Sequence, residues 1–159
     1  MAFSNTAKAT NDFVTGRKSV VFPAGIEVVA QRYSMTLATA DLASGVVGVA
    51  GILPAGCIPC AFEIDAAALD SGTALAYSVG IVNAAESAIS TAAADGGAAW
   101  ATGVTTGRTS AGHGGFVSSR AMKTVQNSQV DRNVGIAITA AAGTAVSGDF
   151  NLTLWYRAA

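Results

Sequence analysis

Charge is scarce in this 159-residue sequence. Only 12% of its residues are Asp, Glu, Lys or Arg, and nine basic against ten acidic side chains leave a formal net charge of -1. So even a balance generates no strong field for a polyanion, so nucleic acid is not an expected partner. A single His and two Cys exclude a self-contained His/Cys zinc site within one chain. Aromatic residues amount to 7%, and there are three Pro. The longest uncharged run, Leu42 to Phe62, has the length of a membrane span, but Gly45, Gly48, Gly51, Pro54, Gly56 and Pro59 interrupt it. Such breaks inside a spanning helix need special support, so no membrane partner is expected. Met1 to Phe13 lacks the apolar core of a secretory signal.

What fills the chain is small and apolar. Hydrophobic residues reach 51%, and Ala, Gly, Thr and Ser together make up about half of the sequence. That composition is the reverse of a disordered one, and the length suits one domain able to bury about two thirds of its unfolded surface. Residues 1–18 are polar without an apolar period, with Lys8, Arg17 and Lys18 among Asn, Thr and Ser; they read as a frayed tail or as an arm that orders only against a neighbour. Residues 19–159 read as a single domain. Many small inward residues contribute little buried area each, so oligomerisation would be a natural remedy.

Strand patterns dominate that domain. Val20 to Phe22 and Ile26 to Ala38 are strand-like, and two further strands meet at Leu53-Pro54-Ala55-Gly56, where Pro and Gly suit a turn. Period-two alternation puts Ile58, Cys60, Phe62 and Ile64 on one face, with Glu63 and Asp65 on the other. The same alternation appears at Leu75, Tyr77, Val79 and Ile81, at Val134, Ile136 and Ile138, and at Phe150, Leu152, Leu154 and Tyr156. Asn83 to Ala94 has helical composition with Asp95-Gly96-Gly97 to stop it, Trp100 to Gly115 reads as a long loop, and Phe116 to Met122 as another strand. Seven to nine short strands and at most one short helix predict an all-β fold, an antiparallel β-sandwich or jelly roll.

Residues that carry chemistry are few. Cys57 and Cys60 (CIPC) sit in a strand pattern rather than at the start of a helix, where a redox pair would have its thiol pKa lowered. Positions i and i+3 of a strand face opposite sides, so the two thiols do not easily bond to each other; they read as structural, or as an intermolecular disulfide. His113 lies in Gly112-His113-Gly114-Gly115, superficially an esterase oxyanion loop, but no G-x-S-x-G nucleophile elbow exists. Glu63, Asp65 and Asp70 form the one acidic cluster, a candidate cation or carboxylate-pair site as well as a solvated face. Asn151-Leu152-Thr153 is a formal glycosylation sequon. There is neither a P-loop nor a complete G-x-G-x-x-G, and no cofactor is implied. The expectation is a protein that is not an enzyme.

Three stretches resemble the small all-β head proteins of tailed bacteriophages, of the capsid decoration or cement kind. They are Val46 to Gly56 (VVGVAGILPAG), Phe62 to Gly80 (FEIDAAALDSGTALAYSVG) and Asp131 to Arg157 (DRNVGIAITAAAGTAVSGDFNLTLWYR). The resemblance implies a structural virion protein on the capsid exterior, assembled in the host cytoplasm. Its partners would be the major capsid protein and further copies of itself, as a homotrimer. Arm residues Lys8, Arg17 and Lys18 would meet the capsid, and Trp100 and His113 would reach a neighbour from their loop. The alternative is a carbohydrate-binding sandwich of a head fibre or tail, stacking sugars on Trp100, Trp155 or Tyr156.

Overall fold

The computed structural model describes residues 27–159. Eight antiparallel strands build it: β1 (Val28–Leu37), β2 (Val47–Leu53), β3 (Cys57–Ala66), β4 (Ala76–Ile81), β5 (Ala101–Val104), β6 (Gly112–Val117), β7 (Arg132–Ala140) and β8 (Gly148–Ala158). They form two four-stranded sheets, β1-β8-β3-β6 and β2-β7-β4-β5, and the architecture is an all-β antiparallel sandwich. Pairing runs from the outside of the sequence inward: β1 with β8, β2 with β7, β3 with β6 and β4 with β5, alternating between sheets. The chain is thus a long double strand, folded over so that successive pairs land on opposite layers. The arm residues Lys8, Arg17 and Lys18, and the strand expected at Val20 to Phe22, lie outside the described residues.

Alternation places the core. Tyr33, Met35 and Leu37 of β1, Phe62 and Ile64 of β3, and Phe150, Leu152, Leu154 and Tyr156 of β8 project inward from the first sheet. Tyr77, Val79 and Ile81 of β4 and Val134, Ile136 and Ile138 of β7 meet them from the second. Each large aliphatic or aromatic side chain removed from water in this way contributes roughly 1.5–3 kcal/mol. The Tyr77 and Phe150 rings meet edge to face across the layers with centroids 6.0 Å apart. The Tyr33 hydroxyl also crosses the layers, donating to the Ile52 carbonyl at 2.7 Å; burial is the main reason its pKa is raised.

Four sequence expectations change. The Ile58/Cys60/Phe62/Ile64 face is split, because the register slips between Pro59 and Ala61. That bulge turns Ile58 and Cys60 outward while Cys57, Phe62 and Ile64 point into the core. Asn83 to Ala94 is not a helix. The Asn83 side chain accepts from the Ser87 N–H at 2.9 Å, Val82 pairs with Ile89, and only Ala93–Asp95 form a short 3-10 turn. Here tertiary contact with the sheet overrides a weak local propensity. The expected loop from Trp100 to Gly115 contains β5 and the start of β6, anchored by Trp100 against Phe62 at 6.2 Å. Finally, Phe116 and Val117 end β6, and a four-residue helix α1 (Arg120–Lys123) follows, with the Ser119 hydroxyl accepting from the Met122 N–H.

The outer face of the second sheet is covered by its own chain. The segment between β4 and β5 lies against it, with Ile89 over Gly80, where a Cβ would come within 2.8 Å of the Ile89 side chain. Every residue of β2 is buried. Between this segment and the sheet remains a shallow apolar depression of about 440 Å³, lined by Val47, Ser78, Ala137 and residues of the cover. Among the described residues no helix is long and apolar enough to cross a membrane.

Candidate interaction surface

The outer face of the first sheet, by contrast, is left open by the described residues. On β8 it presents Asp149, Asn151, Thr153, Trp155 and Arg157, between the buried positions that face the core. Their cross-strand neighbours are Thr36, Ser34, Arg32, Ala30 and Val28 on β1, and Asp65, Glu63 and Ala61 on β3. One half of this face is polar, and its side chains bond to one another. Asp65 accepts from Asn151 at 2.7 Å and from Arg32 at 3.1 Å, Thr36 donates to Asp149 at 3.1 Å, and His113 pairs with Glu63. The other half carries the aromatic pair, where Phe116, 64% exposed, meets the half-buried Trp155 edge to face at 5.2 Å, and it ends in the exposed Arg157. A register slip in the β3–β6 pairing, between Phe62 and Ile64, marks the stretch of β6 that carries Phe116.

The sequence candidates distribute unevenly over this surface. His113 is on it, held by Glu63. Trp100 is 3% exposed and packs against Phe62, so the expectation that it reaches a neighbour or stacks on a sugar is withdrawn. Tyr156 is fully buried, its hydroxyl pKa pushed up to about 12 mainly by that burial, and it too is lost as a platform. Trp155 alone of the three reaches the surface. Cys57 and Cys60 are both free thiols. Burial raises the Cys57 pKa, with the Asp131 charge adding to it, whereas Cys60 is half exposed beside Lys123 and Arg157. Of the pair, Cys60 has the access that a disulfide between copies requires.

Asp70 leaves the acidic cluster altogether. Its carboxylate is fully buried and accepts from the N–H groups of Gly72 and Thr144 at 2.8 Å, Leu75 at 2.9 Å and Ala74 at 3.1 Å. These bonds, led by that from Thr144, hold its pKa well below the usual carboxylate range against the opposing effect of burial. Its own backbone carbonyl accepts from Thr109 at 2.6 Å, and Arg108 donates to the Leu75 carbonyl at 2.9 Å. Asp70 thus fastens the β3–β4, β5–β6 and β7–β8 connections at one end of the sandwich, and its oxygens are already taken. Among the described residues no group of three or more His, Cys, Asp or Glu side chains is placed to hold a metal ion.

Sequence reasoning overlooked Phe116 and Arg32 as surface features. Asn151 and Thr153 were readable as outward neighbours of Trp155 by alternation. No local signal marks Phe116, because a bulge decides which face it joins.

The fold is shared by solved chains of phage capsids. The chain is similar to a solved chain from the capsid of Ralstonia phage GP4, with a TM-score of 0.76 and 26% identity over 94% of this chain and 96% of that one. It also shares its fold with a chain from the cyanophage Pam1 capsid asymmetric unit, with a TM-score of 0.57 and 17% identity over 89% of this chain and 92% of that one. No family model matches the sequence, and no curated protein does either.

Proposed function

We propose that this chain is a structural protein of the phage virion that binds and stabilises the outside of the capsid as a homotrimer. The likeness to a chain of the Ralstonia phage GP4 capsid carries this reading, since it covers 94% of this chain and 96% of that one. The strand order supports it in kind: β1-β8-β3-β6 facing β2-β7-β4-β5, paired from the outside inward, is the connectivity of a jelly roll, a fold used by viral capsid domains. The role is non-enzymatic. Partners are the major capsid protein and further copies of this chain, and assembly takes place in the host cytoplasm. Residues 1–18 act as an arm, with Lys8, Arg17 and Lys18 meeting acidic capsid surface, while residues 19–159 form the domain. His113 serves as a contact on the open sheet face, and Cys60 is the thiol placed for a bond between copies.

Light scattering of the purified chain tests the oligomer: a mass about three times 15.8 kDa is expected, and a monomer at all concentrations would remove the trimer. Non-reducing electrophoresis tests Cys60, whose single thiol can join copies only in pairs: a two-chain band that is lost on reduction and absent in Cys60→Ser is expected. Co-sedimentation with capsids assembled without the chain tests the binding itself. Saturable binding is expected, and weaker binding after deletion of residues 1–18; unchanged binding would remove the arm from the account.

A further inference from the structure

The open face of the first sheet combines two features that a protein-only contact does not require together. At one end a shallow cavity of about 370 Å³ is lined by Arg32, Ser34, Met35, Thr36, Asp149 and Asn151. All but Met35 bring hydrogen-bonding side chains, donors and acceptors intermixed. About 13 Å away along β8, at 3.3 Å per residue, stands Trp155 with Phe116 against it. Trp155 faces Ala30 on β1 and Ala61 on β3, and Phe116 reaches it from β6 across the small Ala61.

We propose that this face binds a neutral polyhydroxylated ligand, a short stretch of polysaccharide lying along β8. Trp155 and Phe116 form the stacking platform, and Asn151, Ser34, Asp149 and Arg32 hydrogen-bond the hydroxyls. A sugar ring offers a C–H face to the electron-rich face of an aromatic ring and a rim of hydroxyls that both donate and accept. The charges on the face argue for a neutral ligand. Arg32 is neutralised by Asp65 at 3.0 Å and Glu63 is engaged by His113, while Asp149 would repel an anion entering the cavity. The inference does not rest on capsid binding, because Trp155, Phe116 and the cavity beside β1 are not among the residues assigned to that contact.

Tryptophan fluorescence of the full chain is the direct test. Trp100 is buried, so a change in emission on adding ligand reports Trp155. Titrations with chitohexaose, maltoheptaose and mannohexaose, and with a heparin hexasaccharide as the anionic counterpart, are expected to give saturable binding for at least one neutral oligosaccharide and none for heparin. Trp155→Ala is expected to weaken that binding by about tenfold, the scale of one aromatic contact, with Asn151→Ala weakening it less. Phe116→Ser provides a second variant at an exposed position should Trp155→Ala fail to fold, read by calorimetry. Absence of binding by all three neutral oligosaccharides, or unchanged affinity in both aromatic variants, overturns the proposal. So does loss of capsid co-sedimentation in the aromatic variants without any glycan binding, which would make the face a protein contact.

Discussion

On the second sheet, Gly80 and Gly135 bring the chain so close that a Cβ at either would strike a neighbour, and the β4–β5 segment packs down over the strands. On the first sheet, Arg32, Glu63, Asp65, Asn151 and Trp155 face outward, and among the described residues no segment lies across them. The two layers share one core and one pairing scheme, so the difference lies in what each does with its far side. A sheet face closed by its own chain adds to stability. A face left open with an exposed aromatic ring is where a partner or ligand can gain contact area.

The largest effect should come from the closed side. At Gly135 a Cβ would collide with the Gly48 carbonyl oxygen on the neighbouring strand, and backbone cannot move aside cheaply. Gly135→Val is expected to cost about 3 kcal/mol or more in urea unfolding, if the protein accumulates at all. A normal unfolding curve would show that the close approach is dispensable.

Next comes the Asp70 fastening. Asp70→Ala leaves the N–H groups of Gly72, Ala74, Leu75 and Thr144 without their acceptor, and a Tm drop on the order of 10 °C is expected by calorimetry. The sign with pH follows from the lowered pKa. The native state holds this proton less tightly than the unfolded chain, whose Asp titrates near about 3.9. The stabilisation is therefore complete above that pH and is lost as the pH falls below it toward the native value. A Tm series from neutral pH down to about pH 2 should fall more steeply in the wild type than in Asp70→Ala. Parallel curves would mean the carboxylate is not what fastens the three connections.

On the open side, effects on stability should be small. Phe116→Ser removes a ring that is 64% exposed, and a change below about 1 kcal/mol is expected in chemical denaturation. Asp65→Asn should cost about 0.5 kcal/mol or less, because its partner Arg32 is more than half exposed and solvent screens the pair. Larger losses at either position would place this face among the stabilising parts of the fold and weaken the contrast between the sheets.

The inward faces were readable because single residues settle them: Phe150, Leu152, Leu154 and Tyr156 alternate without interruption, as do Val134, Ile136 and Ile138. What escaped reading depends on residues far apart. Cys60 and Phe116 owe their orientation to bulges that no local pattern marks, and Asn83 to Ala94 lost its helix to contacts with a sheet formed by strands on both sides of it in sequence. Asp70 looked like a companion of Glu63 and Asp65 by spacing alone, yet its partners come from residues 72–75 and from Thr144. Trp100 was judged by its Gly- and Thr-rich neighbours, and its burial follows from the pairing of β4 with β5.

The most direct measurement is a cryo-electron microscopy reconstruction of capsids assembled without this chain and then incubated with it. The account predicts added density on the outer surface that fits the eight-stranded sandwich in groups of three. Density inside the shell, or no added density at saturating protein, would contradict it.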